Sequence, residues 1–195
     1  MNVKSRAIAI TFALALLAGT AVYYAPRFLA YADKPVKSDA IILFLGKDSS
    51  ARRKEAHRLL NEGYASFLII PAAHQVFNSS NIPLQPVGTA KHGSRRAREY
   101  PRYYEATHVE VLDAQQMMNS MGLTSAIMVS TPYHMKRIKM ICDKTFGEQA
   151  RYISYVPSSY ESGMTDWGNV ASADVKMVML ECVKIGWFRL YSSFI

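Results

Sequence analysis

The sequence predicts an open, mostly parallel α/β sheet flanked by helices and preceded by one N-terminal transmembrane helix. Three observations predict it. Short, wholly apolar runs bounded by Gly or Pro recur along the chain, segments with helical periodicity alternate with them, and an uncharged stretch of membrane-spanning length stands near the N-terminus. Apolar runs without polar alternation read as strands buried on both faces, the signature of parallel strands. Strands alternating with helices then imply crossover connections and an open sheet.

The first element is the apolar stretch. From Ala7 to Pro26 no charged residue occurs, and Arg6 and Arg27 bound the run. A helix needs about 20 apolar residues to cross a hydrocarbon core of ~30 Å. Tyr23 and Tyr24 fall where an aromatic interface belt belongs. The expected partner of residues 7–25 is therefore a lipid bilayer. Ala30-Tyr31-Ala32 has the small-residue pattern of a signal-peptidase site, but Pro26 and Arg27 separate it from the apolar run, which favours a retained anchor. Residues 1–32 are read as anchor and linker, and residues 33–195 as a single α/β domain. A signal anchor with a short cytoplasmic tail places that domain outside the cytoplasmic membrane, in a periplasmic or other extracytoplasmic space.

Beyond a polar linker at 33–38, Ala40 to Leu45 is the first strand and ends at Gly46. Ser49 or Ser50 caps a helix that runs to about Glu62, with Gly63 as its stop. Ser66 to Ile70 is the second strand, halted by Pro71. Thr107 to Met121 is an amphipathic helix closed by Gly122, and Ser125 to Val129 is the third strand. Pro132 opens the next helix, which ends near Phe146 before Gly147. Tyr152 to Val156 is the fourth strand, and a last helix spans roughly Ala171 to Tyr191. Residues 71–106 show no strong periodicity and are read as one long loop. A loop of this length in a compact domain is usually functional. Its basic, tyrosine-rich stretch from Lys91 to Tyr104 suits a lid over an anion, a patch on anionic lipid, a single-stranded nucleic-acid contact by stacking and charge, or a solvated excursion with a short helix around Ser94–Tyr104.

Composition narrows the function classes. The chain has 195 residues, 50% hydrophobic and 19% charged, so it is not a disordered tail. Its 23 Lys and Arg against 15 Asp and Glu leave a formal charge of +8, which favours anionic partners or is simply solvated surface. The two cysteines, Cys142 and Cys182, form no Cys-x-x-Cys pair, and whether they join in a disulfide stays open. Neither a glycine-rich dinucleotide fingerprint nor a phosphate-binding Walker loop is present, and no metal motif occurs. No cofactor and no metal are expected. Nucleic acid is not expected either, since an exported domain seldom meets it.

In open α/β sheets ligands gather beyond the carboxyl ends of the strands. Candidate chemistry is accordingly sought there. After the third strand come Ser130, Thr131, Pro132, Tyr133, His134, Met135, Lys136 and Arg137. Thr131 as cap and Pro132 at the first turn leave unpaired backbone N–H groups facing an anion. His134 and Arg137, three apart, share one helical surface, where Arg can fork onto a phosphate and His can move a proton. The same spacing also suits a satisfied histidine beside the core stripe of Met135, Ile138, Ile141 and Cys142. Thr107 and Glu110 have capping-box spacing, and Glu110 is also a candidate acid, base or orienter for His134. Gly46 and Arg52, at the end of the first strand and the start of the following helix, are candidates to line the same anion.

These residues resemble a bacterial group, the SanA/YdcF/ElyC envelope proteins, over about residues 38–190. The likeness rests on Asp39-Ala40-Ile41-Ile42 through Gly46, and on Arg52 leading into Glu55-Ala56, Leu59 and Gly63. It continues in Thr107-x-x-Glu110 and in Ser130-x-x-Tyr133-His134-Met135-x-Arg137, with Glu181 and Gly186 near the end. The resemblance implies a Rossmann-like sheet with a pocket at the strand ends and a role in envelope barrier, peptidoglycan or lipid-carrier metabolism. It weights Arg52, Thr107, Glu110, His134 and Arg137 toward function without supplying a reaction; His134 and Glu110 are the catalytic candidates, and Gly46, Arg52, Thr107, Ser130, Thr131 and Arg137 the ligand-binding ones. The chain departs from the pattern at Lys47, where the group has more glycine, and at Pro71-Ala72-Ala73, where the group has Ser-Gly. Three readings follow: a binder or hydrolase- or transferase-like enzyme for a phosphorylated envelope precursor, a non-catalytic envelope regulator or scaffold, and a nucleotide or S-adenosylmethionine binding enzyme.

Overall fold

Four apolar segments form the parallel part of one six-stranded sheet, described by a computed structural model over residues 3–46, 49–80, 82–84, 100–161 and 172–195. The parallel strands are β1 (Ala40–Leu43), β2 (Phe67–Ile70), β5 (Ala126–Ser130) and β6 (Ile153–Pro157). Two short strands, β3 (Gln75–Asn78) and β4 (Pro83–Leu84), run antiparallel at one edge, giving the order β4-β3-β2-β1-β5-β6. The helices are α1 (Val3–Leu29), α2 (Ser50–Asn61), α3 (Ala106–Ser120), α4 (Pro132–Phe146) and α5 (Ser172–Ser192). Each helix that joins two parallel strands serves as the crossover such pairing demands.

Strand alternation sorts the core into two layers. Ile41, Leu43, Leu68, Ile70, Ile127 and Val129 point to one face, where Ala56, Leu59 and Leu60 of α2 cover them. Ala40, Ile42, Ile69 and Met128 point to the other, against α3 and α4. There the expected stripe of Met135, Ile138, Ile141 and Cys142 is fully buried. Ala40 pairs with Phe67 on one side and Ala126 on the other, so β1 is the central parallel strand.

The expectation that residues 71–106 form a single irregular loop is corrected by β3 and β4. Asn78 folds the turn between them, its Oδ1 accepting from the N–H groups of Ser80 (3.1 Å) and Ile82 (2.9 Å). The strands are too short and too exposed to leave a periodic signature. Residues 85–99, which hold most of the basic stretch, lie outside the described residues. A second correction concerns the expected capping box at Thr107. The helix begins one residue earlier, Glu105 occupies the cap position, and no side chain makes the cap hydrogen bond.

The linker is part of the fold. Asp33 N–H donates to Tyr155 O (2.8 Å), and Tyr155 N–H donates to Asp33 Oδ2 (3.2 Å), which covers the outer edge of β6. Asp39 Oδ2 accepts from the backbone and hydroxyl groups of Thr124 and Ser125, fixing the entry to β5. Both cysteines are free thiols, Cys142 buried on α4 and Cys182 half-buried on α5.

The segment Ile8–Leu29 of α1 is long and apolar enough, by length and composition, to cross a membrane. Its large side chains are exposed, Ile8 and Phe12 each by 71%. Its last turn behaves differently: Ala25 and Leu29 are buried among Tyr133 of α4 and Val178 and Ile185 of α5.

Candidate functional site

The chain enters the sheet at β1, continues to β2, and then crosses back to β5 on the other side of β1. This reversal makes the junction of β1 and β5 a topological switch point. The helices that follow these two strands leave to opposite faces, α2 to one and α4 to the other. In open α/β sheets ligands gather beyond the strand ends at such a point. Gly46 stands at its β1 side, and Ser130 and Thr131 stand at its β5 side.

Three serines and an arginine knit the strand ends together. Ser158, just past β6, donates its N–H to Ser130 O (2.9 Å) and its hydroxyl to Ala51 O (3.1 Å), so the end of β5 meets the first turn of α2. Ser159 donates its N–H and hydroxyl to Glu55 Oε2 (3.1 and 2.5 Å). Arg52 is buried, donates Nη1 to Phe44 O (3.1 Å), and pairs through Nε with Glu161 Oε1 (3.2 Å). A Cβ on Gly46 would lie 2.6 Å from Arg52 Nη2 and 2.7 Å from Nη1. The guanidinium thus packs against the Gly46 Cα, and a methyl there would displace the flexible end of Arg52. Glu55 is fully enclosed, and although burial alone would raise its pKa, bonds from Arg58 and Ser159 hold it below the usual carboxylate range.

One turn along α4 lies a denser group of charges. Arg137 donates Nε to Glu181 Oε2 (2.6 Å), Nη2 to Glu181 Oε1 (3.2 Å) and Nη1 to Glu105 Oε2 (3.0 Å). His134 Nδ1 lies 3.0 Å from Glu181 Oε1, and Lys184 Nζ donates to the same oxygen at 2.9 Å. Because the carboxylate can only accept, His134 donates to it from Nδ1, which leaves Nε2 on the far side of the ring from Glu181. This is the orientation of a general base held by a carboxylate. Burial would raise the pKa of Glu181, but His134 and Arg137 outweigh it and hold the group far below its ordinary value. Glu105 goes the other way: burial raises it, and Arg137 only partly compensates. Its Oε1 and the Thr131 hydroxyl are buried without a hydrogen-bond partner among the described residues.

The expected site residues therefore fall into two groups joined by the first turn of α4, where His134 N–H donates to Thr131 O (3.1 Å). Gly46, Arg52, Ser130 and Thr131 lie together at the strand ends of the switch point, and His134 and Arg137 belong to the charge cluster. Thr131 occupies the cap position of α4, as expected, although its side chain makes no cap hydrogen bond. Thr107 and Glu110 are half-buried on the first turns of α3. Glu105 and Glu181, rather than Glu110, supply the carboxylates to Arg137 and His134. Glu181 was visible as a lone carboxylate in the apolar stripe of Val178, Ile185 and Phe188, which signals a buried cation opposite. Glu105 offered no such signal. Among the described residues, no group of three His, Cys, Asp or Glu side chains could hold a metal ion.

Fold and site together define a mixed α/β protein with a mostly parallel sheet flanked by helices, a switch point between β1 and β5, and an apolar N-terminal helix. Comparison of the chain with family models, with curated proteins and with solved structures returned no match.

Proposed function

We propose that this chain is a single-pass cytoplasmic-membrane protein with an extracytoplasmic, Rossmann-like domain that binds a phosphorylated or otherwise anionic ligand. In this reading it acts in cell-envelope barrier, peptidoglycan or lipid-carrier metabolism, as its resemblance to the SanA/YdcF/ElyC group implies. The observation that supports ligand binding most is the switch point between β1 and β5, where the first turn of α2 lies beside Gly46 and that of α4 follows Thr131. Helix N-termini present unpaired N–H groups and a positive dipole end to an anion. The Thr131 hydroxyl adds a donor, and His134 Nε2 an acceptor for a proton in hydrolysis or transfer. Membrane attachment is supported by α1, whose exposed apolar length ends in a turn buried in the domain. Cleavage after Ala32 would strip Leu29 from that packing, which favours a retained anchor.

A second reading, a non-catalytic envelope scaffold, draws on one observation: the Arg137 guanidinium is already engaged by Glu181 and Glu105. One experiment separates the two. The full-length chain in detergent is melted with inorganic phosphate, glucose 1-phosphate or farnesyl phosphate, and the series is repeated with Thr131→Val and His134→Gln. A ligand at a hundredfold its Kd stabilises by about 2.7 kcal/mol. Binding predicts a raised Tm with at least one phosphate, lost in Thr131→Val while the unliganded Tm is kept. Absence of any phosphate-dependent shift sinks the ligand reading. The scaffold reading predicts no phosphate-dependent shift in the wild type or in either variant.

A further inference from the structure

Helix α5 buries one face and leaves the opposite one apolar. Val178, Glu181, Ile185, Phe188 and Tyr191 turn inward at helical spacing. On the outward side stand Leu180 (44% exposed), Val183 (67%), Trp187 (45%) and Leu190 (58%), followed by Phe194 (81%) just past the helix end. These recur at intervals of three and four residues, so they form one stripe, about 15 Å long from Leu180 to Leu190. An exposed apolar patch of this kind marks a contact surface rather than scattered surface residues.

We propose that this stripe lies in the headgroup–acyl boundary of the same bilayer that α1 crosses, so that the domain is held against the membrane along α5. The inference rests on the membrane reading of α1. Three features select lipid as the occupant. First, the helix that bears the stripe packs its other face directly on the end of α1: Ala25 and Leu29 share a buried cluster with Val178 and Ile185, which holds α5 close to where the apolar helix meets the domain. Second, the charges fit an anionic surface. Lys176 is exposed one turn before Leu180 in line with the stripe, Lys184 lies beside it while also pairing with Glu181, and Glu181, the acidic residue among the described side chains of α5, is buried. Third, the residue types are those of an interfacial helix, with aliphatic side chains, Trp187 at the boundary, and Trp187 Nε1 donating to Tyr103 O (3.0 Å) so that its polar edge is satisfied. Such a helix sinks ~5–10 Å into the boundary, held by apolar area and by cations near anionic headgroups. The switch point would then be held at a fixed height above the lipid, within reach of an amphiphilic substrate.

The two tryptophans, Trp167 and Trp187, make this testable. Full-length Trp167→Phe, with Trp187 as sole reporter, is reconstituted into phosphatidylcholine–phosphatidylglycerol vesicles with lipids brominated near the headgroup end of the acyl chain. The expected result is loss of most Trp187 emission to the brominated lipid and protection from aqueous iodide, with the protein floating with the vesicles. Floating protein whose Trp187 is untouched by bromine and open to iodide overturns the inference and leaves the anchor intact. Protein that does not float overturns the anchor reading itself. Nanodiscs holding one chain each address a second copy of the chain as occupant. Quenching retained there supports lipid, whereas Trp187 shielded from both quenchers only at two chains per disc overturns the proposal.

Discussion

At the scale of single residues, the site is built by close approach and by paired burial. Gly46 and Arg52 illustrate the first. The guanidinium occupies the space a Cβ would need, so Gly46→Ala must shift the end of Arg52, at the expense of its bonds to Phe44 O and Glu161. The expected cost is about 1–3 kcal/mol, the usual range for overpacking a close contact. In an Arg52→Ala background the same alanine should cost far less. A double-mutant cycle by chemical denaturation checks this, and additivity of the two changes would show that the two residues do not share the space. Gly46 was legible only as a strand stop, because an arginine six positions on gives no hint that its end folds back. His134 and Arg137, by contrast, were legible as a pair, since helical spacing alone sets them side by side. Their partner Glu105 was not, because it reaches Arg137 from the cap of a helix on another stretch of chain.

Among the elements, α1 joins two environments. Its apolar length is exposed, and its final turn is a piece of domain core against α4 and α5. Leu29 is fully buried, so Leu29→Ala should destabilise the domain by about 2–5 kcal/mol through lost burial and the cavity left behind. Val22→Ala, a few turns earlier on the exposed part of the helix, should leave domain stability unchanged. Denaturant titration of both variants in the same detergent measures the difference, and equal behaviour would mean that α1 is a mere tether. Helix and strand types followed from apolar runs, Gly stops and Pro132, and the structure agrees for α2, α3, α4, α5 and the four parallel strands. The hairpin of β3 and β4 did not follow, because four- and two-residue strands at an exposed edge carry too little pattern to read.

For the whole molecule, buried titratable groups tie stability to pH. His108 stacks on Tyr104 at 4.5 Å, hydrogen-bonds Tyr191, and is pulled down to about 4 by burial. Its unfolded value is about 6.5. Between those two values the unfolded chain takes up a proton that the folded chain refuses, so stability falls as pH falls from ~6.5 to ~4. The contribution is about 1.4 kcal/mol per pH unit within that window. Glu105, raised by burial, tilts the balance the other way as it gains a proton, so the test is the difference between wild type and His108→Gln. The variant should lose the slope across this window. Identical pH profiles would place the titration elsewhere.

Local chemistry in the chain was enough to determine an apolar helix near the N-terminus, strands buried on both faces, and a histidine–arginine pair beside a helix start. These properties depend on spacings of a few residues, and spacing is what a sequence states directly. Only the tertiary structure decided that β1 is central with β5 beside it, that Ser158 ties β5 to α2, and that Glu181 and Glu105 converge on Arg137. Those contacts join residues far apart along the chain, and their partners are selected by sheet order and helix packing, which no short-range pattern encodes.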